Sequence, residues 1–256
     1  MKRPAKKTTR ICGYDADRIT LRGRDLVTEL MGEVTFSQMI LLQLLGGKPS
    51  RAQTRILDAV LVTIMEHGLV PSAIVSRLTL YGAPESVQGA VAAGLLGVGD
   101  QFAGTASACA QILEPIAGAP RAKRNALARA AIASLRGQQQ PIPGFGHPVH
   151  RGGDPRVKRL IAIVRAAGAK GDHLGALATL ERCVRQEIGK KLVTNISSAI
   201  AAALGEAGVP AKAMRGIILT ARCAGLAGHV YEEMQNPVAD SMWRAVEKEI
   251  RYSSDD

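Results

Sequence analysis

The chain has 256 residues, 46% of them hydrophobic, and 33 Lys and Arg against 22 Asp and Glu give it a formal net charge of +11. That length and apolarity can supply one large core or two modest ones. The positive surplus favours anionic partners without choosing between nucleic acid, an acidic membrane and a polyphosphate cofactor. Aromatic residues at 3% argue against a single-strand binder that stacks bases.

Residues 1–10 are basic but lack the apolar stretch of a secretory signal, and a solvated arm is expected there. No run approaches the roughly 18 uninterrupted apolar residues that a membrane span needs. A soluble, cytoplasmic protein is therefore expected. Cys12, Cys109, Cys183 and Cys223 show no CxxC pair or zinc spacing, which points to buried free thiols in a reducing compartment.

Residues 11–24, with Tyr14, Ile19 and Leu21 among Gly and Asp, predict a short hairpin. Almost everything after it carries helical periodicity. Ser50 is a good N-cap for a helix from Arg51, with Ile56, Leu57, Val60, Leu61, Ile64 and Met65 at helical spacing and Gly68 as its stop. His67 would then sit at that helix's C-terminal end. Residues 85–99 are small and apolar on most sides and predict a buried, closely packed helix. Residues 121–136 predict an Ala-rich helix whose arginines form a solvated face or contact phosphate.

A long Pro-rich loop follows from Gly137 to Pro155, the kind of connection that carries function in compact domains. Helices are expected again at 156–168 and 173–188, from Ala199 to Leu204 behind Asn195-Ile-Ser-Ser198, at 212–229 and at 237–251. Strand–helix alternation is absent, which disfavours an α/β fold.

Most stock motifs fail. There is no GxSxG elbow, Val149 stands where a GxGxxG fingerprint wants glycine, and Leu42 stands where a P-loop does. His147 and His150 lack the carboxylates or thiols that would complete a metal site, so none is expected. What remains is placement. Arg222 lies on an apolar helix, seven residues before His229. Either an internal carboxylate pairs with it, or it waits for a carboxylate ligand that its planar fork would match.

Pro143-Gly-Phe-Gly-His-Pro-Val-His-Arg-Gly-Gly-Asp-Pro-Arg156 resembles the PGxGH…DPR signature of citrate synthases. Glu66-His67-Gly68, Leu45-Gly-Gly-Lys-Pro-Ser50, Arg18-Ile-Thr-Leu-Arg-Gly-Arg24 and Ala221-Arg222-Cys-Ala-Gly225 are similar to further family segments, in the family's order. Gly99-Asp-Gln-Phe-Ala-Gly104 is similar to the GDRFGG of the citryl-CoA lyase branch, which includes the C-terminal lyase module of ATP-citrate lyase. Ordinary citrate synthases have histidine at the place of Phe102.

The resemblance implies a mainly α fold. A large helical domain would comprise residues 1–108 and 214–256, and a smaller inserted one residues 109–213. It implies a homodimer or homotetramer acting on a coenzyme A ester and a di- or tricarboxylic acid, with the thioester as substrate and no resident cofactor. His147 would polarise the carbonyl or hydroxyl of the acid, and His67 would hydrogen-bond the thioester oxygen and stabilise the enolate. Arg156 and Arg222 would hold carboxylates, and Pro143, Gly144, Phe145 and Gly146 would let main chain approach coenzyme A.

One position departs from the family. Where relatives carry a catalytic Asp in Asn-Val-Asp, this chain has Asn195-Ile-Ser197. A serine hydroxyl is too weak a base at neutral pH to replace aspartate unaided, and Ser197 suits a helix N-cap. Three outcomes stay open: recruitment of Asp100, Glu66 or the Glu232-Glu233 pair, a different substrate, or an acyl-CoA or organic-acid binder with altered or lost activity. A nucleic-acid binder rests on the net charge alone.

Overall fold

The computed structural model describes residues 7–146, 154–189 and 192–253. The N-terminal sheet comprises β1 (Cys12–Tyr14), β2 (Ile19–Leu21) and β3 (Arg24–Asp25), antiparallel in that order with Gly13 opposite Thr20. The Asp15 carboxylate accepts the N–H groups of Asp17 and Arg18 and closes the first turn. The second turn, Arg22–Gly23, holds both residues at positive φ. The hairpin expected over 11–24 is thus extended by a third strand, since Arg22 carries no sequence signal for a left-handed turn.

The chain then runs α1 (Phe36–Leu45), α2 (Arg51–Ile64), α3 (Pro71–Gly82), α4 (Val87–Leu96), α5 (Thr105–Gly118), α6 (Arg121–Gly137) and α7 (Pro155–Ala166). It continues through α8 (Asp172–Ile188), α9 (Ile196–Glu206), α10 (Ala211–Gln235) and α11 (Ala239–Glu249). Two π-helical turns, Leu26–Leu30 and Asp100–Gly104, precede α1 and α5. Ser50 caps α2 in a capping box with Gln53, as expected, and Pro71 and Pro155 stand in the first turns of α3 and α7.

Helix α9 is the centre of the packing. Ser198 through Gly205 are all buried, and α2, α5, α7 and α8 surround it. A helix apolar on every side belongs inside. Helix α10 lies against α2, α3, α4 and α5. One cluster of buried residues runs from Leu41 to Ile218, drawing on segments inside and outside 109–213.

Several expectations change. Helix α4 buries only Ala90 and Gly94, leaving Val87 and Leu96 exposed, so its apolar surface is not wrapped on all sides. Of the arginines of α6, Arg121 stands exposed to solvent, whereas Arg124, Arg129 and Arg136 are held by partners within the protein. Arg124 binds Asp172 and the carbonyls of Ala117 and Ala119, and Arg129 pairs with Glu187, so together they fasten α6 to α8. Cys109 and Cys183 are buried free thiols, but Cys12 is exposed on the sheet. Among the described residues no helix is long and apolar enough to cross a membrane.

Candidate active site

The turn between α2 and α3 is built by Glu66. Its Oε1 accepts the main-chain N–H groups of His67 at 2.7 Å and Gly68 at 2.8 Å, and Gly68 turns the chain at φ +71. Helix α2 therefore stops at Ile64, and His67 stands in the turn beyond it rather than on the helix end. Gly225 of α10 lies against this turn, where any Cβ would overlap the Met65 carbonyl oxygen.

Behind Glu66 runs a chain of charged groups. His229 Nε2 lies 3.0 Å from Glu66 Oε1, while His229 Nδ1 accepts from Arg77 Nε at 3.1 Å. That acceptor role leaves the imidazole hydrogen on Nε2, directed at the carboxylate. Buried Arg77 also donates to Glu233 at 2.7 Å and pairs with Glu232. Burial pushes the Glu66 carboxyl up, but His229 and the two main-chain donors outweigh it and hold it below the usual carboxylate range.

Arg222 is buried and poorly satisfied. It reaches Ser72 Oγ at 3.3 Å and the carbonyls of Ile64 and Met65 at 3.5 Å, long contacts for a charged donor. Among the described residues no carboxylate pairs with it. Burial pulls its pKa down, opposed by the charge of Glu66. Of the two explanations for this arginine, the internal ion pair is removed among these residues.

Arg156 opens α7 and is aimed by the residue that caps it. Buried Asp154 accepts the Arg156 main-chain N–H at 3.0 Å and grips its guanidinium through Nε at 3.0 Å and Nη2 at 2.8 Å. The cap of α9 is Asn195, whose Oδ1 accepts from Ser197 N at 3.0 Å. Ser197 is thus not the N-cap the sequence suggested; it sits in the first turn of the helix.

Asn195 also straps down the loop at 143–146. Its main-chain N–H donates to Gly144 O and its Nδ2 to Gly146 O, each at 2.9 Å. Gly144, at φ +86, lies so close to α9 that a Cβ would come within 2.6 Å of the Ser198 Cβ.

These elements enclose two adjoining cavities. One of about 250 Å³ gathers Glu66, His67, Ser72, Arg156, Ser197 and Arg222. The other, about 790 Å³, is walled by Pro143, Gly144, Phe145, Asp100, Lys212 and Arg215. Thr105 and Asn195 belong to both. Gly146 is not in these walls; its carbonyl serves Asn195. His147, with Pro148 and His150, lies outside the described residues. Of the carboxylates considered for recruitment, Asp100 pairs with Arg215 in the larger cavity and Glu232 and Glu233 pair with Arg77. Glu66 alone of these lines the smaller one.

Sequence reasoning missed Arg77, Lys212 and Arg215. For Arg77 a signal existed: it stands in Pro71-Ser-Ala-Ile-Val-Ser-Arg77-Leu, as apolar a setting as that of Arg222.

Residues 11–245 match the family model described as citrate synthase, C-terminal domain. The chain belongs to that family. A solved citryl-CoA lyase from Hydrogenobacter thermophilus superposes with a TM-score of 0.85 at 30% identity, covering 98% of this chain and 95% of that one. An ATP citrate lyase from Methanothrix soehngenii, solved with citrate and coenzyme A, shares the fold over 100% of this chain and 43% of its own, with a TM-score of 0.77 at 19% identity. A 2-methylcitrate synthase of Shewanella oneidensis is 29% identical over 205 residues, covering 76% of this chain and 51% of that protein. The chain spans about half the length of the curated relatives it matches.

Proposed function

We propose that this protein breaks, or forms, the carbon–carbon bond between the acetyl unit of a coenzyme A thioester and a 2-oxo acid. Cleavage of citryl-CoA to acetyl-CoA and oxaloacetate is the reading supported best. One observation carries it: a small cavity with two guanidinium groups and an imidazole in its walls adjoins a larger one with basic residues and a glycine-bearing loop.

In this reading Arg156 and Arg222 bind the carboxylates of the acid as bidentate partners. Lys212 and Arg215 face the phosphates of coenzyme A, and the Pro143–Gly146 loop accommodates the chain that leads to the thioester. As the bond breaks, its electron pair passes to the thioester carbonyl. His67 stabilises the resulting enolate, a role that preorganised donors fill effectively. By family resemblance His147 takes the hydroxyl proton. Segment 109–213 acts as the smaller domain and closes to exclude water. The working form is a cytoplasmic homodimer or homotetramer without a resident cofactor.

The direct test supplies the purified protein with citryl-CoA, or with acetyl-CoA plus oxaloacetate, and follows oxaloacetate or free thiol. Turnover in either direction is expected; a folded protein inert in both would remove this activity. A second reading rests on Ser197, which lines the small cavity where relatives place an aspartate. The protein would then bind coenzyme A esters without efficient turnover. Calorimetry beside the assay separates the two: binding without turnover supports the second, and no binding defeats both.

A further inference from the structure

We propose that Glu66 is the catalytic carboxylate of this site, carrying the α-proton that Ser197 cannot. The proposal rests on the coenzyme A reading above and names the proton carrier within it. Its basis is geometric. Glu66 reaches the small cavity, and its two oxygens are unlike. Oε1 takes three donors, from His67, Gly68 and His229. Oε2 has no hydrogen-bond partner among the described residues and lies beside Gly225, where α10 carries no side chain. A carboxylate pinned through one oxygen presents the other in a fixed direction, as proton transfer requires.

The groups around it suit that task. His229 and Arg222 face it from α10, His67 adjoins it, Arg77 of α3 stands behind His229, and Arg156 of α7 shares the cavity wall. This setting keeps Glu66 ionised at neutral pH and ready to accept a proton. In condensation, Oε2 takes a proton from the α-carbon, and the C–H electron pair becomes the enolate that His67 stabilises. In cleavage, Glu66 first takes up a proton from water; the citryl hydroxyl then loses a proton, the C–C pair moves to the acetyl unit, and Glu66 delivers its proton to the α-carbon. One proton leaves oxygen and one arrives at carbon, so no co-reactant is needed.

The test is binding of carboxymethyl-coenzyme A, whose carboxylate stands where the enolate would form. Two carboxylates in contact cannot both stay ionised. Wild type should take up about one proton on binding near neutral pH, read by calorimetry in two buffers of different ionisation enthalpy. Glu66→Gln should bind the analogue more tightly and take up none, while Ser197→Ala should retain the proton uptake. His229→Gln keeps an N–H for Glu66 and should retain the uptake; loss there would assign the proton to His229 and overturn the proposal. Uptake that persists in Glu66→Gln, or is absent from wild type, overturns it while leaving the coenzyme A site standing. Failure of folded wild type to bind the analogue removes the coenzyme A reading and this proposal with it. Where wild type turns over, Glu66→Gln should lower kcat by about 100-fold or more with KM within a few-fold, the scale of a lost general base.

Discussion

Two arginines buried in apolar helices carry the contrast between structure and function at the residue scale. Arg77 is met by two carboxylates and an imidazole; Arg222 meets a hydroxyl and two carbonyls at 3.3–3.5 Å. Burying a charge without an ionic partner is costly, and replacing it with an apolar chain is often neutral or stabilising. Arg222→Met should therefore raise stability, by about 1 kcal/mol in chemical denaturation. The same change should weaken binding of oxaloacetate or citrate by about 100-fold, the loss of a charge-assisted pair, read by calorimetry. A destabilised protein with unchanged ligand affinity would mark Arg222 as structural. Cys109 makes the opposite point, since burial pushes its thiol up to about 12, and it packs near Gly144 as an inert apolar group.

At the scale of elements, what was legible followed from local rules. Ser50 and Gln53 form the capping box that starts α2, and the Pro143–Gly146 motif forms the loop expected of it. What was missed depends on partners distant in sequence or on choices between neighbours. The end of α2 is set by Glu66 turning back on its own N–H groups and held by His229, 163 residues away. Asn195 takes the cap that Ser197 also suits, because its amide can serve the loop at Gly146 as well. The approach of α10 to the turn gives a further prediction. Gly225→Ala would drive a methyl group into the Met65 carbonyl, and main chain cannot swing aside as a flexible side chain can. The overpacking should cost about 2 kcal/mol. Because the turn carries Glu66 and His67, turnover should fall further than stability alone accounts for, measured as kcat on protein that remains folded.

For the whole molecule, helical periodicity and motif order made the fold readable, whereas the route by which its far end supports the site did not show in sequence. Glu233 is the hinge of that route. Its Oε2 takes Arg77 Nη1 at 2.7 Å, and its Oε1 accepts the N–H groups of Val238 and Ala239 at 2.8 Å each, anchoring α11 to α10 and α3. Arg77 passes the restraint through His229 to Glu66. Burial pushes the Glu233 carboxyl up, but the two main-chain donors and Arg77 hold it below its ordinary value. A depressed carboxylate contributes stability that is full above its unfolded value, about pH 4.3, and disappears as pH falls through the folded one. Glu233→Gln leaves Arg77 with the exposed Glu232 as its one carboxylate partner among the described residues and should cost about 3 kcal/mol at pH 7. The gap between wild type and variant should then narrow below about pH 4, as wild type protonates the group that the variant lacks. Denaturant unfolding at a series of pH values reads this directly. A gap that is constant with pH would mean that Glu233 acts through packing and its main-chain bonds, not through its charge.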